Sequence, residues 1–113
     1  MHEYSVTKEL VELCNREAKQ NDIKDIQRVR ITVGRFTGFS PEAIQFYFEY
    51  LCPGTRCENA KLIFSETPIK LLCRDCAQTS EIEQPVMVCP LCGGTNIEIT
   101  SGREFYIESI EGE

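Results

Sequence analysis

The chain has 113 residues, 42% of them apolar and 27% charged, with a net charge of −6. That is one domain's worth of chain with enough apolar content for a packed interior, which excludes two full cores and disorder of the whole. The acidic balance repels phosphate backbones and argues against nucleic-acid binding. No run approaches the ~20 apolar residues of a membrane span, and the opening Met1-His2-Glu3-Tyr4 lacks the basic patch and apolar stretch of a secretory signal, so the cytoplasm is the expected compartment.

In chain order, residues 5–20 predict an amphipathic helix. Val6, Leu10, Leu13, Cys14 and Ala18 recur at three- and four-residue steps, Ser5 is placed to cap the start, and Asn21-Asp22 to end it. Residues 27–35 alternate as a half-buried strand, with Val29, Ile31 and Val33 on one face and Arg28, Arg30 and Thr32 on the other. Gly34 and Gly38 then permit a turn. Ser40-Pro41-Glu42 predicts a second helix start, followed by an apolar stripe of Ala43, Ile44, Tyr47, Phe48 and Leu51, with the aromatic run Phe46-Tyr47-Phe48 read as core. Cys52-Pro53-Gly54 ends that helix. Residues 61–67 read as strand up to Pro68, and residues 97–100 and 103–110 as further strand split at Gly102.

This order predicts an α+β fold: two helices packed on a small three-stranded mixed sheet, with a cysteine-bearing, zinc-ribbon-like lobe inserted between strands of that sheet. Residues 1–69 and 95–113 would form the α+β domain and residues 70–94 the lobe.

Seven cysteines, at 14, 52, 57, 73, 76, 89 and 92, need a reason in a reducing compartment. Cys73-Arg74-Asp75-Cys76 and Cys89-Pro90-Leu91-Cys92 are C-x-x-C turns separated by twelve residues. Each turn offers two sulfurs from one tight loop, and the intervening segment folds back as a hairpin, so four thiolates converge on one ion. Tetrahedral sulfur suits Zn²⁺, and four protein ligands leave no open position for catalysis. Iron is the competing ion, but no aromatic residue lies between Phe64 and Phe105 to shield a redox centre. The segment between the pairs offers only Ile82, Val86, Met87 and Val88 as large apolar residues, so metal must supply much of the folding energy. Cys14 reads as core packing, and Cys52 and Cys57 as two unrelated loop cysteines.

The single histidine is residue 2. Behind a retained Met1, the α-amine, the His2 amide and the His2 imidazole lie within a few bonds, and the Glu3 amide supplies a fourth nitrogen. Fused chelation through deprotonated amides favours a strongly bound, square-planar ion such as Ni²⁺ or Cu²⁺ over Zn²⁺. No P-loop and no other catalytic constellation is present, so an enzyme is not expected.

Several of these segments together resemble the HypA/HybF hydrogenase nickel-incorporation proteins. They are Met1-His2-Glu3 with Ser5, Val29-Arg30-Ile31-Thr32-Val33-Gly34, Pro41-Glu42-Ala43-Ile44-Gln45-Phe46, the Cys73/Cys76/Cys89/Cys92 quartet and Ser101-Gly102-Arg103-Glu104. The resemblance covers essentially the whole chain. It implies a cytoplasmic metallochaperone that carries transient Ni(II) at Met1, His2 and Glu3 in the α+β domain. It also implies structural Zn(II) at Cys73, Cys76, Cys89 and Cys92. The implied partners are the GTPase HypB and the large subunit of NiFe-hydrogenase, with neither nucleic acid nor membrane. Cys14, Cys52 and Cys57 stand outside the family pattern. A zinc-ribbon adaptor or nucleic-acid module without nickel is the alternative. It is disfavoured because Lys70 and Arg74 face Asp75, Glu81 and Glu83, leaving no basic stripe.

Overall fold

The stripe of the first helix, α1 (His2–Gln20), buries Leu10, Val11, Cys14 and Ala18 and packs on the second, α2 (Pro41–Leu51). A computed structural model describes residues 2–113, with His2 described by its backbone alone; Met1 and the His2 side chain lie outside the described residues. Helix α1 starts three residues earlier than the periodicity predicted, so Ser5 is an interior position and not a cap. The acid Glu3 occupies the first turn, where it faces the positive end of the helix dipole, and its carbonyl accepts the Thr7 hydroxyl at 2.5 Å. The helix ends where Asn21-Asp22 predicted. Asp22 takes the left-handed conformation (φ 56°) while Ile23 N–H closes back on the Ala18 carbonyl at 2.8 Å. Helix α2 is capped by Ser40, whose Oγ accepts the Ala43 N–H at 3.2 Å. Its inward residues are Ile44 and Phe48. The aromatic run expected as core divides: Phe48 is buried, Tyr47 half-buried and Phe46 exposed. The helical period that turns residue 48 inward turns residue 46 out.

Strands β1 (Ile26–Gly34), β2 (Lys61–Thr67), β3 (Ile69–Cys73), β4 (Thr79–Ile82), β5 (Ile97–Ser101) and β6 (Phe105–Gly112) form two three-stranded sheets, in the orders β2-β1-β6 and β4-β3-β5. The first is the sheet predicted under the helices. In β1, Val29, Ile31 and Val33 are buried and Arg28 and Arg30 exposed, as the alternation required. Both arginines reach Glu111 on β6, at 2.6 and 3.3 Å, and hold its carboxyl below the usual range. Thr32 was expected outward with them and is buried. The second sheet was not anticipated as such. Pro68 ends β2, but the chain resumes at once as β3, the central strand of the second sheet, and β5 joins that sheet and not the first. Among the described residues, no helix is long and apolar enough to cross a membrane.

The chain divides into two compact units. One holds residues up to Ile31 with Phe39–Phe64 and Ile107–Glu113; the other holds Thr32–Gly38 and Ser65–Tyr106. The second is wider than residues 70–94, because β3 pairs with β5 from Lys70↔Ser101 to Cys73↔Ile97 and so draws the flanking segments in. Within it, Gly34 N–H donates to the Glu104 carbonyl at 2.5 Å and Phe36 N–H to the Gly102 carbonyl at 2.8 Å. A Cβ at Gly34 would overlap the Gly102 carbonyl, with no flexible side chain to yield. We expect Gly34→Ala to destabilise the protein by about 2–3 kcal/mol through backbone overpacking. Gly38→Ala sits in open space at φ 72° and should cost about 1 kcal/mol from its left-handed backbone alone. Urea titrations measure both; equal losses would refute the close approach at Gly34.

Candidate metal centre

Strand β3 alternates, burying Ile69, Leu71 and Cys73 while Lys70 faces outward. It pairs antiparallel with β4 (Ile69↔Ile82 to Leu72↔Thr79), the return segment between the two C-x-x-C pairs. Cys73 ends the strand and starts the first knuckle. Its N–H donates to the Gln78 carbonyl at 2.9 Å, and the knuckle closes on Ala77, which adopts a left-handed φ of 62°. The second knuckle repeats this plan. Gly93 follows Cys92 at φ 75°, its N–H donating to the Cys89 carbonyl at 2.9 Å, and Cys89 N–H donates to the Gly94 carbonyl at 2.9 Å. The position after the second cysteine is therefore left-handed in both turns. Glycine at 93 announced this in the sequence; alanine at 77 concealed it.

The four sulfurs of Cys73, Cys76, Cys89 and Cys92 all lie within 4.8 Å of one another. Cys73 and Cys92 are 3.6 Å apart and Cys76 and Cys89 3.8 Å. A tetrahedron with metal–sulfur bonds of about 2.3 Å has sulfur–sulfur edges of about 3.8 Å, so these two edges match a tetrahedral ion. Leu91 N–H points at the Cys89 sulfur and Gly94 N–H at the Cys92 sulfur, each at 3.4 Å. Such donors favour thiolate over thiol. The Cys92 and Leu91 amides hold Cys89 down to about 7. Cys92 behaves oppositely. The Gly94 amide draws it down, but proton sharing with Cys73 and burial outweigh that and push it up to about 12. Cys76 is also raised: its Gln78 backbone contact is overcome by burial and by the Cys73 and Cys89 thiols. A dication bound by all four sulfurs would take them as thiolates and release the protons that they hold without it. Glycine at 94 leaves room beside the site, since a Cβ would come within 3.2 Å of the Cys92 sulfur and displace the exposed Asp75 carboxylate. The residues fit Zn²⁺, which would supply a four-bond crosslink and no open coordination site.

Of the other predicted site residues, Glu3 lies in the first unit. Met1 and the His2 side chain, named for nickel, are outside the described residues. Glu3 is half-buried, and its carboxylate accepts the backbone N–H of Ser40 at 3.3 Å, at the start of α2. Sequence periodicity carried no signal for this pairing across 37 residues. Cys14, Cys52 and Cys57 are not unrelated: all three are buried, from α1, the end of α2 and the following loop. Hydrogen bonds from Cys14 and Cys52 draw the Cys57 thiol down, and the same contacts with burial push Cys14 and Cys52 up. Among the described residues, only the quartet at 73, 76, 89 and 92 converges tightly enough to hold a metal.

Residues 1–112 match the model of a family described as "Hydrogenase/urease nickel incorporation, metallochaperone". The chain is 39% identical to the hydrogenase maturation factor HypA of Moorella thermoacetica over the whole of both chains. It is 34% identical, again over both whole chains, to the hydrogenase maturation factor HybF of Shigella boydii. Its structure is similar to the solution structure of the Ni metallochaperone HypA from Helicobacter pylori. The TM-score there is 0.68 at 29% identity, covering 97% of this chain and 96% of that one. A second HypA solution structure gives a TM-score of 0.70 at 30% identity, over 100% of this chain and 97% of that one.

Replacing one sulfur, as in Cys76→Ser, should abolish stoichiometric zinc. It should also raise amide exchange in β3, β4 and the two knuckles by at least about tenfold, because the sulfur crosslink carries their stability. Exchange in α1 and α2 should stay slow. Metal analysis and hydrogen exchange read the two effects, and unchanged protection in β3 after metal loss would show that the lobe holds itself.

Proposed function

The chain belongs to the HypA family of hydrogenase and urease nickel-incorporation metallochaperones, and from that premise we propose that it binds Ni(II) at its N-terminus through Met1, His2 and Glu3. It releases the ion during NiFe-hydrogenase maturation in the cytoplasm, working with the GTPase HypB and the hydrogenase large subunit. The family is one of maturation factors and not of catalysts. Zinc at Cys73, Cys76, Cys89 and Cys92 is structural, and nickel is cargo. The two metals divide the chain's work: nickel is carried at the start of α1, and zinc organises the two knuckles and the sheet β4-β3-β5.

The observation that carries this reading is that α1 begins at His2. The first N–H groups of a helix have no intrahelical acceptor, so the amides of His2 and Glu3 are available to lose a proton to a metal. The Glu3 carboxylate, held on the Ser40 N–H, keeps this first turn on α2. The positive end of the helix dipole opposes a dication there, so binding depends on the negative charge that deprotonated amides create. A site that forms only with proton release is suited to transfer, since reprotonation opens it.

An unperturbed α-amine titrates at about 7.7–8.0 and an unperturbed imidazole at about 6.5, and each must lose its proton to bind a metal. Nickel affinity should therefore rise from pH 6 to 8 with net proton release. A single residue added before Met1 removes the amine but leaves His2, so it should weaken nickel binding nearly as much as His2→Ala, at constant zinc content. Calorimetric titration of untagged protein compares the three chains. Wild-type nickel affinity in the extended chain would remove the amine from the site.

A further inference from the structure

Three cysteines that neither metal site uses meet inside the first unit. Cys14 comes from α1, Cys52 caps the end of α2, and Cys57 lies in the loop that follows. Each is at most 2% exposed. The chain is tied down on both sides of this cluster. Asn15 Oδ1 accepts the Arg56 N–H at 2.9 Å, so the residue after Cys14 is held against the residue before Cys57. The Arg56 guanidinium donates to the Ile23 carbonyl at 2.7 Å, and the Ile26 N–H donates to the Arg56 carbonyl at 3.0 Å. Within the loop, the Thr55 hydroxyl donates to the Cys52 carbonyl at 2.6 Å and accepts the Cys57 N–H at 3.1 Å.

A buried cysteine packs as a small hydrophobe. Cys57 does more than that, because it is hydrogen-bonded by both Cys14 and Cys52, and these bonds draw its thiol below the ordinary range. They favour the thiolate, which is the nucleophilic form. A nucleophilic sulfur with a second thiol in contact is what a disulfide-forming site requires.

We propose that Cys57 and Cys14 form a site of reversible thiol oxidation by hydrogen peroxide, closing a disulfide that ties α1 to the loop after α2, with Cys52 as the hydrogen-bond donor that activates Cys57. Burial selects the oxidant. Pro53, Gly54, Glu58 and Asn59 of the loop are exposed while the sulfurs beneath are not. Peroxide is uncharged and close to water in size, so brief openings of this short loop admit it and exclude bulky disulfides. The Cys57 thiolate attacks one peroxide oxygen and the O–O bond breaks. Hydroxide leaves, takes up the proton that Cys57 gave up, and Cys57 becomes a sulfenic acid. The Cys14 sulfur then attacks the Cys57 sulfur, its proton passes to the departing oxygen, and the S–O bond breaks to release water. Two thiols have lost two electrons, and peroxide has become two waters. A dithiol reductant returns the electrons. The site stands independently of the nickel reading.

The test treats the full zinc-loaded chain with hydrogen peroxide, blocks the remaining thiols under denaturing conditions and digests with trypsin without reduction. Cleavage after Lys8, Arg16, Arg35, Arg56 and Lys61 leaves each of the three cysteines on its own peptide. Mass spectrometry should find Glu9–Arg16 joined to Cys57–Lys61, in at least about tenfold excess over any pair that includes Cys52, because disulfide geometry is specific. Unfolding in urea should shift the preference to Cys52 with Cys57, the nearest pair along the chain. Cys52→Ala should slow the link about tenfold by removing a hydrogen bond to the thiolate, and Cys52→Ser, which keeps a donor, should restore most of the rate. Recovery of the Cys14 and Cys57 peptides unlinked would overturn the site. So would Cys57 joined chiefly to Cys52 in the folded chain, or the same pairs in folded and unfolded chains. An unchanged rate in Cys52→Ala would overturn the activation by Cys52.

Discussion

Four sulfur atoms hold together a part of the chain that its apolar residues cannot. The cluster around them consists of buried Leu71, Cys73 and Cys89, helped by partly buried Cys76, Ile82, Ile97 and Ile99. Val86, Met87, Val88 and Leu91, in the second knuckle and the segment before it, are 40–65% exposed and contribute little. Such a cluster is small beside the backbone ordering that two knuckles and three short strands require. A crosslink through a tetrahedral ion would close that gap, and the local geometry is arranged to admit one. Left-handed Ala77 and Gly93 tighten both turns, Gly94 lets the backbone pass the Cys92 sulfur, and amide donors meet the Cys89 and Cys92 sulfurs.

The first unit has no such dependence. Leu10, Val11, Cys14, Ala18, Ile26, Val29, Ile31, Ile44 and Phe48 supply a core without metal. Cys14, Cys52 and Cys57 belong to that core, and their mutual hydrogen bonds satisfy the thiols where water is excluded. Because its interior is complete, the unit can leave the start of α1 open and an aromatic face of α2 uncovered. The two metals of the family reading therefore meet opposite demands. Zinc is assigned to a cradle of four side chains, where no coordination position would be left over. Nickel is assigned to a helix start, where the ligands are chain-end groups whose protons compete with the ion.

The sequence by itself determined the local features. C-x-x-C spacing brings two sulfurs into one turn whatever surrounds it, Ser40-Pro41-Glu42 starts a helix through its own hydrogen bonds, and Asn21-Asp22 ends one through a left-handed residue. The alternation of Val29, Ile31 and Val33 declared the buried face of β1, and the Met-His-Glu start with the quartet carried the family resemblance. Tertiary structure decided what depends on distant partners. β5 lies in the cysteine-bearing sheet because β3 offers it an edge, a choice invisible in five residues of alternating pattern. Glu3 reaches Ser40, and Cys14 meets Cys57, only because α1 is laid against α2 and its loop. Phe46 looked like core beside Tyr47 and Phe48, since composition measures how apolar a segment is. Only the packing of α2 on α1 sets which side of the helix faces inward, and that leaves Phe46 and Tyr50 in solvent.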